Sequence, residues 1–416
     1  MVSYIRQTLH TRCSHAGANS WTASPAYPPT ALLHRKARPP RGQSLDFLAG
    51  PGNPSHFPTR IHFPRSTHFL NVRVFYHDKC FDGACSASLF TRFHRECMTP
   101  AADYSYHGLV HRAGALFNEA DFIGDENAIV DFKYCASPRI TWWFDHHLSA
   151  FLTPEDQEDY RRGMADGRYV NRRFYDPAYI SCTSLIAHIA STKFGFNAEP
   201  VAELVRWADI VDGALYSSPQ AAVEMADPAM KLTLVIESTQ DPAFIPRLIP
   251  LLTATPLDRI IKEPFVANLL PPLLERHEHA LCLIRDRSES RNGTIYFDIS
   301  DQPMEGYNKF IPYYLHPEAT YSVGLSKSSF RTKVSVGSNP WTKAKPENML
   351  NLATICERYG GGGHARVGAI SFPPDRSDEA REAAAEIVAE LRAHDPHAGQ
   401  VPESNARPAT SGQSSN

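Results

Sequence analysis

The stretch RITWWFDHH, residues 139–147, decides how this chain folds. Its first six residues are rich in aromatic and β-branched side chains, the composition of a strand. The run is apolar in successive positions, so both of its faces are buried, as in the interior strands of a parallel sheet. No turn residue separates it from the aspartate and two histidines that follow. Those polar groups therefore stand at the strand's carboxyl end, the edge where open parallel sheets bind their ligands.

Two neighbouring runs have the same form. NAIVDF (127–132) is a short buried strand that carries Asp131 near its end, and VRVFYH (72–77) is another that ends in His77. GACSASLFTRFHREC (83–97) has helical spacing after the latter, with Ala84, Ser86, Ala87 and Ser88 crowding its start. SCTSLIAHIASTKFG (181–195) and AEPVAELVRWADIV (198–211) are helical as well. Strands alternating with helices predict an α/β fold, a parallel doubly wound domain over 70–215. A helical connector is expected over 216–290. Its apolar part is cut by Pro264, Pro271 and Pro272, and no piece approaches the ~20 residues of a membrane span. TIYFDIS, TYSVGLS and KVSVGS then read as strands of a smaller α/β domain over 291–392. A helix near 348–358, the run GGGGH (360–364), a strand at 369–373 and a helix at 376–392 complete it.

Composition frames these domains. The 416 residues carry 42 Lys and Arg against 45 Asp and Glu, a net charge of -3, and 42% are hydrophobic. That average hides a division. Residues 1–68 hold nine of the 33 prolines and six of the 19 histidines, with eight basic residues and a single acid, Asp46. They read as a disordered extension, either a targeting segment or translation from an upstream start. The tail from Ala393 reads as disordered too. What remains is acidic and shows no basic stripe, which disfavours long nucleic acid, since extended binding rests on many phosphate contacts. Eight cysteines form no C-x-x-C pair, so a zinc knuckle is not expected. Free thiols suit a reducing, cytoplasmic setting.

The acids and histidines fall at strand ends. His77 and Asp82 follow the first strand, Asp131 lies at the end of the second, and Asp145, His146 and His147 end the third. Asp209 and Asp212, in RWADIVDG, close a helical pattern. A lone aspartate after a strand is commonly a helix cap. Three such strand ends on one edge instead point to a metal site. Imidazole with several carboxylates suits Mn²⁺, with Mg²⁺, Co²⁺ or Fe²⁺ as alternatives. Carboxylates can bridge two ions about 3.5–4 Å apart.

These motifs, in this order, resemble the DHH phosphoesterase superfamily, which includes RecJ-type exonucleases, oligoribonucleases and manganese pyrophosphatases. Asp145-His146-His147 is the DHH tripeptide. YHDKCFDGACSA (76–87), VDF (130–132) and WADIVDG (207–213) resemble the motifs around it, and RYGGGGHARVGAISF (358–372) resembles the GGGH signature of the DHH-associated C-terminal domain. The resemblance implies two manganese ions, with His77 and Asp82 as ligands of one and Asp131 bridging both. It implies His146 and Asp209 on the second, Asp209 being preferred to Asp212 because the family's motif commonly ends in Ala-Asp. His147 would contact the substrate phosphate, and Asp145 would orient a ligand histidine. Gly361, Gly362, Gly363 and His364 would hold the rest of the substrate, since consecutive glycines let backbone N–H groups approach an anion. Arg331 and Lys333 are candidates for further phosphate contacts. Trp341 and Tyr359 are candidates to stack a base or to be buried.

One departure stands out. The family usually has an aspartate two residues before the position of Asp82, where this chain has Cys80, with Asp78 four before. Either residue remains a candidate to complete the first site. The function implied is metal-dependent hydrolysis of short oligonucleotides or nucleotides to 5′-mononucleotides. The alternatives are a phosphomonoesterase or polyphosphate-type hydrolase of the same fold, or a nucleotide-binding module with a degenerate metal site. No membrane and no long duplex is expected as partner; a homodimer is left open.

Overall fold

The computed structural model describes residues 69–394 apart from 113 and 305, so the expectations for 1–68 and for 395–416 lie outside the described residues. The described residues form one compact unit containing two sheets.

The first sheet has five strands: β1 (Asn71–His77), β2 (Asp103–Leu109), β3 (Glu126–Val130), β4 (Ile140–Asp145) and β5 (Arg173–Tyr175). All are parallel, in the order β2-β1-β3-β4-β5. Neighbouring residues along each interior strand serve opposite cores. Val74, Tyr76, Ala128, Val130, Trp142 and Phe144 face one, while Phe75, Ile129 and Trp143 face the other. The doubly wound expectation is met, and continuous apolar runs mark these strands because both faces are covered. Two strands escaped the sequence reading. DYSYHGL of β2 has one buried residue, Leu109, so an edge strand left no apolar run to read. β5 is three residues long.

The chain moves out from β1 to β2 and returns across it to β3, so the order reverses at β1. The crevice between the carboxyl ends of β1 and β3 is the switch point where such sheets bind ligands. His77 and Asp131 flank it. Helices α1 (Phe81–Cys97), α2 (Pro154–Ala165), α3 (Cys182–Phe194) and α4 (Ala202–Asp212) accompany this sheet. Six helices follow between Pro219 and Arg287: α5 (Pro219–Val223), α6 (Pro228–Ser238), α7 (Phe244–Leu252), α8 (Leu257–Ile260), α9 (Pro264–Ala267) and α10 (Leu270–Arg287). Among the described residues, no helix is long and apolar enough to cross a membrane.

The second sheet has the order β10-β11-β9-β8-β7-β6. Its strands are β6 (Glu289–Arg291), β7 (Thr294–Asp298), β8 (Tyr321–Lys327), β9 (Thr332–Ser338), β10 (Gly362–His364) and β11 (Val367–Phe372). β7 and β8 are parallel and the other neighbours antiparallel. Helices α11 (Ile311–Leu315), α12 (Leu352–Glu357) and α13 (Ser377–Ala393) belong to this region. Tyr321, Val323, Leu325, Val334 and Val336 join a core with Ala384, Ile387 and Leu391 of α13. The alternate residues Ser322, Gly324, Ser326, Lys333, Ser335 and Gly337 line a cavity on the opposite face. The GGGGH run contributes Gly362–His364 as a short edge strand paired with β11. Gly363 has φ +153 and an added Cβ would sit 2.2 Å from the carbonyl oxygen of Val367, so this hairpin requires glycine there.

Candidate metal centre

The site begins with how tightly α1 starts against β1. A Cβ on Gly83 would lie 2.2 Å from the carbonyl oxygen of His77, so only glycine permits this approach. The tight return brings Cys80, His77 and Asp131 together, with one potential ligand atom of each within 4.8 Å of the others. Asp78 goes elsewhere. Its N–H donates to the carbonyl of Leu109 at 2.8 Å, and its side chain packs on Gly108 of β2. Cys80, rather than Asp78, accompanies His77.

Asp131 is the hub. Its backbone is left-handed, with φ +57, a conformation that costs a non-glycine residue about 1–2 kcal/mol. The cost is borne at a residue whose carboxylate is buried with neither oxygen in a hydrogen bond. Asp131 Oδ2 lies 3.5 Å from His77 Nδ1 and Oδ1 lies 3.5 Å from His146 Nε2, both beyond hydrogen-bond length. Those two histidine nitrogens are likewise buried and unpartnered.

His146 is held from behind. Its Nδ1 is 3.1 Å from the carbonyl oxygen of Tyr179, so Nδ1 carries the proton and donates. That leaves the Nε2 lone pair turned to carboxylates of Asp82 at 3.7 Å, Asp131 at 3.5 Å and Asp212 at 3.5 Å. A backbone carbonyl fixing one ring nitrogen while the other faces an anionic cluster is the arrangement of a metal-ligating histidine. His147 is fixed differently. Its Nδ1 is 2.7 Å from Asp145 Oδ1, which also accepts from the N–H groups of His146 at 2.9 Å and His147 at 3.3 Å. Asp145 thus orients the loop and fixes the ring of the half-buried His147 through Nδ1.

Asp82 has a double attachment. It accepts from the N–H groups of Cys182 at 2.7 Å and Thr183 at 3.0 Å and from the Thr183 hydroxyl at 2.5 Å, all at the start of α3. This ties α1 to α3 while Oδ2 still faces His146. Asp82 groups with His146 and Asp212, not with His77 as the resemblance implied. The last acid also differs from expectation. Asp209 accepts from the Ser181 hydroxyl at 2.6 Å and faces the surface between α3 and α4. Asp212, three residues on, reaches His146. The Ala-Asp pattern selected Asp209 from sequence, but the final turn of α4 presents its last residue to the site.

The electrostatics of the cluster favour positive charge beside its carboxylates. Burial and the facing carboxylates of Asp131 and Asp212 push the Asp82 carboxyl up. Burial, then Asp131, Asp82 and Asp212, push the Cys80 thiol up. Burial works against charge on His146, yet Asp131, Asp82 and Asp212 raise it to about 10. Burial opposes ionisation of Asp131 too, and the imidazoles of His146, His77 and His147 overcome it, holding this carboxyl well below the usual range. Buried carboxylates, imidazole nitrogens without hydrogen bonds and a thiol fit divalent cations, which would replace the protons now needed to balance the charge.

Sequence reasoning missed several neighbours. His111 lies two residues past the unread strand β2, with its ring 4.9 Å from His77 and stacked at 4.7 Å on Phe132. Lys133 donates to the carbonyl and hydroxyl oxygens of Ser149. The Tyr179 carbonyl leaves no side-chain signal at all. The cavity of about 280 Å³ on the second sheet includes Ala214, two residues after Asp212, and four cations: Lys309, Arg331, Lys333 and Arg366. Burial, then Arg331 and Lys309, press the Lys333 ammonium down. Gly361–His364 are not among its lining residues. Trp341 packs on Phe310 at 5.7 Å and donates to the Tyr216 carbonyl at 2.8 Å, and Tyr359 donates to Glu386 at 2.7 Å.

No protein-family profile and no curated protein sequence matches the chain. Solved structures do. The pGpG-specific phosphodiesterase PggH from Vibrio cholerae aligns with TM-score 0.56 and 17% identity, over 78% of this chain and all of its own. The DHH domain of a member of the S1p family of ribosomal proteins aligns at TM-score 0.45 and 16% identity, over 77% of this chain and 87% of its own. The exonuclease RecJ bound to manganese gives 0.42 and 13%, over 80% and 93%. At these identities the likeness is one of fold. In that fold, and in the order of the motifs it carries, the chain resembles the DHH superfamily phosphoesterases.

Proposed function

We propose that this protein is a metal-dependent phosphodiesterase that hydrolyses short oligonucleotides or dinucleotides to 5′-mononucleotides. The observation that carries the reading is the set of buried, unpartnered donors at one sheet edge: both oxygens of Asp131, His77 Nδ1 and His146 Nε2. His77, Cys80 and Asp131 would hold one cation. Asp131, Asp82, His146 and Asp212 would hold the second, with Asp131 shared. Manganese suits the carboxylates and imidazoles of this set, while the Cys80 sulfur is a softer ligand that suits Zn²⁺ better. Bound there, such cations supply Lewis-acid polarisation of the phosphoryl group and acidify a water.

The chain's own residues do the rest. Asp145 holds the proton of His147 on Nδ1 or shares it there, which sets the direction of the ring. His147 then contacts a phosphoryl oxygen and steadies the charge that builds during attack. The cavity on the second sheet, lined by Ala214 two residues after Asp212, supports a substrate with more than one phosphate, because four cations line a space the size of a nucleotide fragment. It also favours a nucleotide over bare polyphosphate, since Tyr307, Phe310 and Tyr313 provide apolar walls.

The test uses metal-loaded full-length protein. It is given pGpG, the substrate in the name of the similar phosphodiesterase, and di- to pentaribonucleotides, with Mn²⁺, Mg²⁺ or Co²⁺. Release of 5′-mononucleotides supports the proposal. Orthophosphate release with diesters intact would select the phosphomonoesterase or polyphosphate alternative. Binding without turnover would select the nucleotide-binding alternative.

A further inference from the structure

His111 stands on the edge that carries the metal centre but belongs to none of its ligand groups. β1 and β2 run parallel with His77 opposite Leu109, so His111 is carried two residues beyond the end of β2 along the same edge. Phe132, immediately after Asp131, acts as a buried platform for two imidazoles. The His111 ring stacks on it at 4.7 Å and 22°, and the His77 ring lies at 5.8 Å. His111 meets His77 edge-on at 4.9 Å, and His77 meets His147 edge-on at 6.4 Å. Three imidazoles thus follow one another across the strand ends, in the order His111, His77, His147.

The outer two differ in how they are held. Asp145 fixes His147 by a hydrogen bond. Stacking fixes the plane of His111, whose ring nitrogens have no hydrogen-bond partner among the described residues. A stacked surface histidine with no further role would look similar in isolation. It would not need to lie in line with a metal ligand and the phosphate-contacting histidine.

We infer that His111 is a substrate-binding residue, which donates a ring N–H to a phosphoryl oxygen from the side of His77 opposite His147. This rests on the phosphodiesterase reading of the same edge. The phosphate would then be gripped from both ends of the row, with the ligand His77 in the middle. Lys133, anchored on Ser149 beside this row, adds positive charge.

The experiment compares wild type with His111→Ala and His111→Gln, and with His107→Ala as a control on the same strand. Calorimetry with metal-loaded protein measures binding of a 5′-mononucleotide, the product that presents the phosphate. Turnover of pGpG is measured in parallel. The inference predicts mononucleotide binding weakened about tenfold or more in His111→Ala, the scale of a lost hydrogen bond to a charged group. His111→Gln, which keeps a donor, recovers part of it. Metal stoichiometry stays unchanged, and His107→Ala binds as wild type does. Binding by His111→Ala within twofold of wild type would overturn the inference. Wild-type protein that binds the mononucleotide but hydrolyses no diester would overturn the phosphodiesterase reading, while the binding comparison still decides the role of His111.

Discussion

At the scale of single residues, the site separates groups that hold from groups that aim. Asp145 aims: one of its oxygens accepts from the His147 ring and from two backbone N–H groups. Asp145→Asn removes the charge and invites the wrong tautomer of His147. The expected result is a fall in kcat of about 10²–10⁴, by analogy with other aspartate–histidine pairs, with bound metal unchanged by elemental analysis. The two acids at the end of α4 offer a sharper contrast. Asp212→Asn should lower metal affinity at least tenfold, because Asp212 faces His146 Nε2 at 3.5 Å. Asp209→Asn should leave it within twofold, because that side chain is engaged by Ser181. Equal losses in both variants would contradict this assignment. The histidines and the DHH aspartate were legible in sequence because each directly follows an apolar strand. Asp212 was not separable from Asp209, since helical phase at a last turn depends on where the helix stops.

Elements carry the next level of cause. The turn from β1 into α1 exists because Gly83 has no side chain. Gly83→Ala places a methyl 2.2 Å from the His77 carbonyl oxygen, and the resulting shift should cost about 1–3 kcal/mol of stability. Denaturant unfolding checks this, and metal affinity should fall with it because His77 and Cys80 lie on either side of the turn. A second element contact concerns acid stability. Glu126 on β3 accepts from Trp142 Nε1 at 2.6 Å and lies 3.1 Å from His94 Nε2. Burial opposes its charge, yet these hydrogen bonds hold its carboxyl below the ordinary glutamate range. A depressed folded-state pKa adds stability above the unfolded value near 4.5 and loses it as pH falls through the folded value. Wild type should therefore exceed Glu126→Gln in melting temperature at pH 7, and the gap should close below pH 4. A gap independent of pH would refute the linkage. The interior strands were readable from continuous apolar runs, and β8 and β9 from alternation. β2 was not, because an edge strand with one buried residue has no such run, and His111 was missed with it.

Across the whole molecule, the first sheet supplies the metal centre and the second supplies a cavity whose lining includes Ala214, two residues after Asp212. Arg331 and Lys333, named from the sequence as phosphate candidates, line that cavity together with Lys309 and Arg366. Gly362–His364 form the edge strand of the same sheet, half-buried at Gly362 and exposed at Gly363 and His364. Lys333→Ala should raise KM for a 5′-phosphorylated dinucleotide about tenfold while leaving metal stoichiometry unchanged, and the salt dependence of KM should weaken as one phosphate contact is lost. An unchanged KM would remove the cavity from the account. The central claim is the metal centre itself, and elemental analysis of purified, manganese-loaded protein tests it most directly. The account predicts about two ions per chain in the wild type and their loss in Asp131→Ala, because two of the three ligand groups, His77–Cys80–Asp131 and Asp131–His146–His147, share that carboxylate and the third, Asp82–His146–Asp212, shares His146 with them. A value near zero in the wild type, or two ions retained without Asp131, would contradict it.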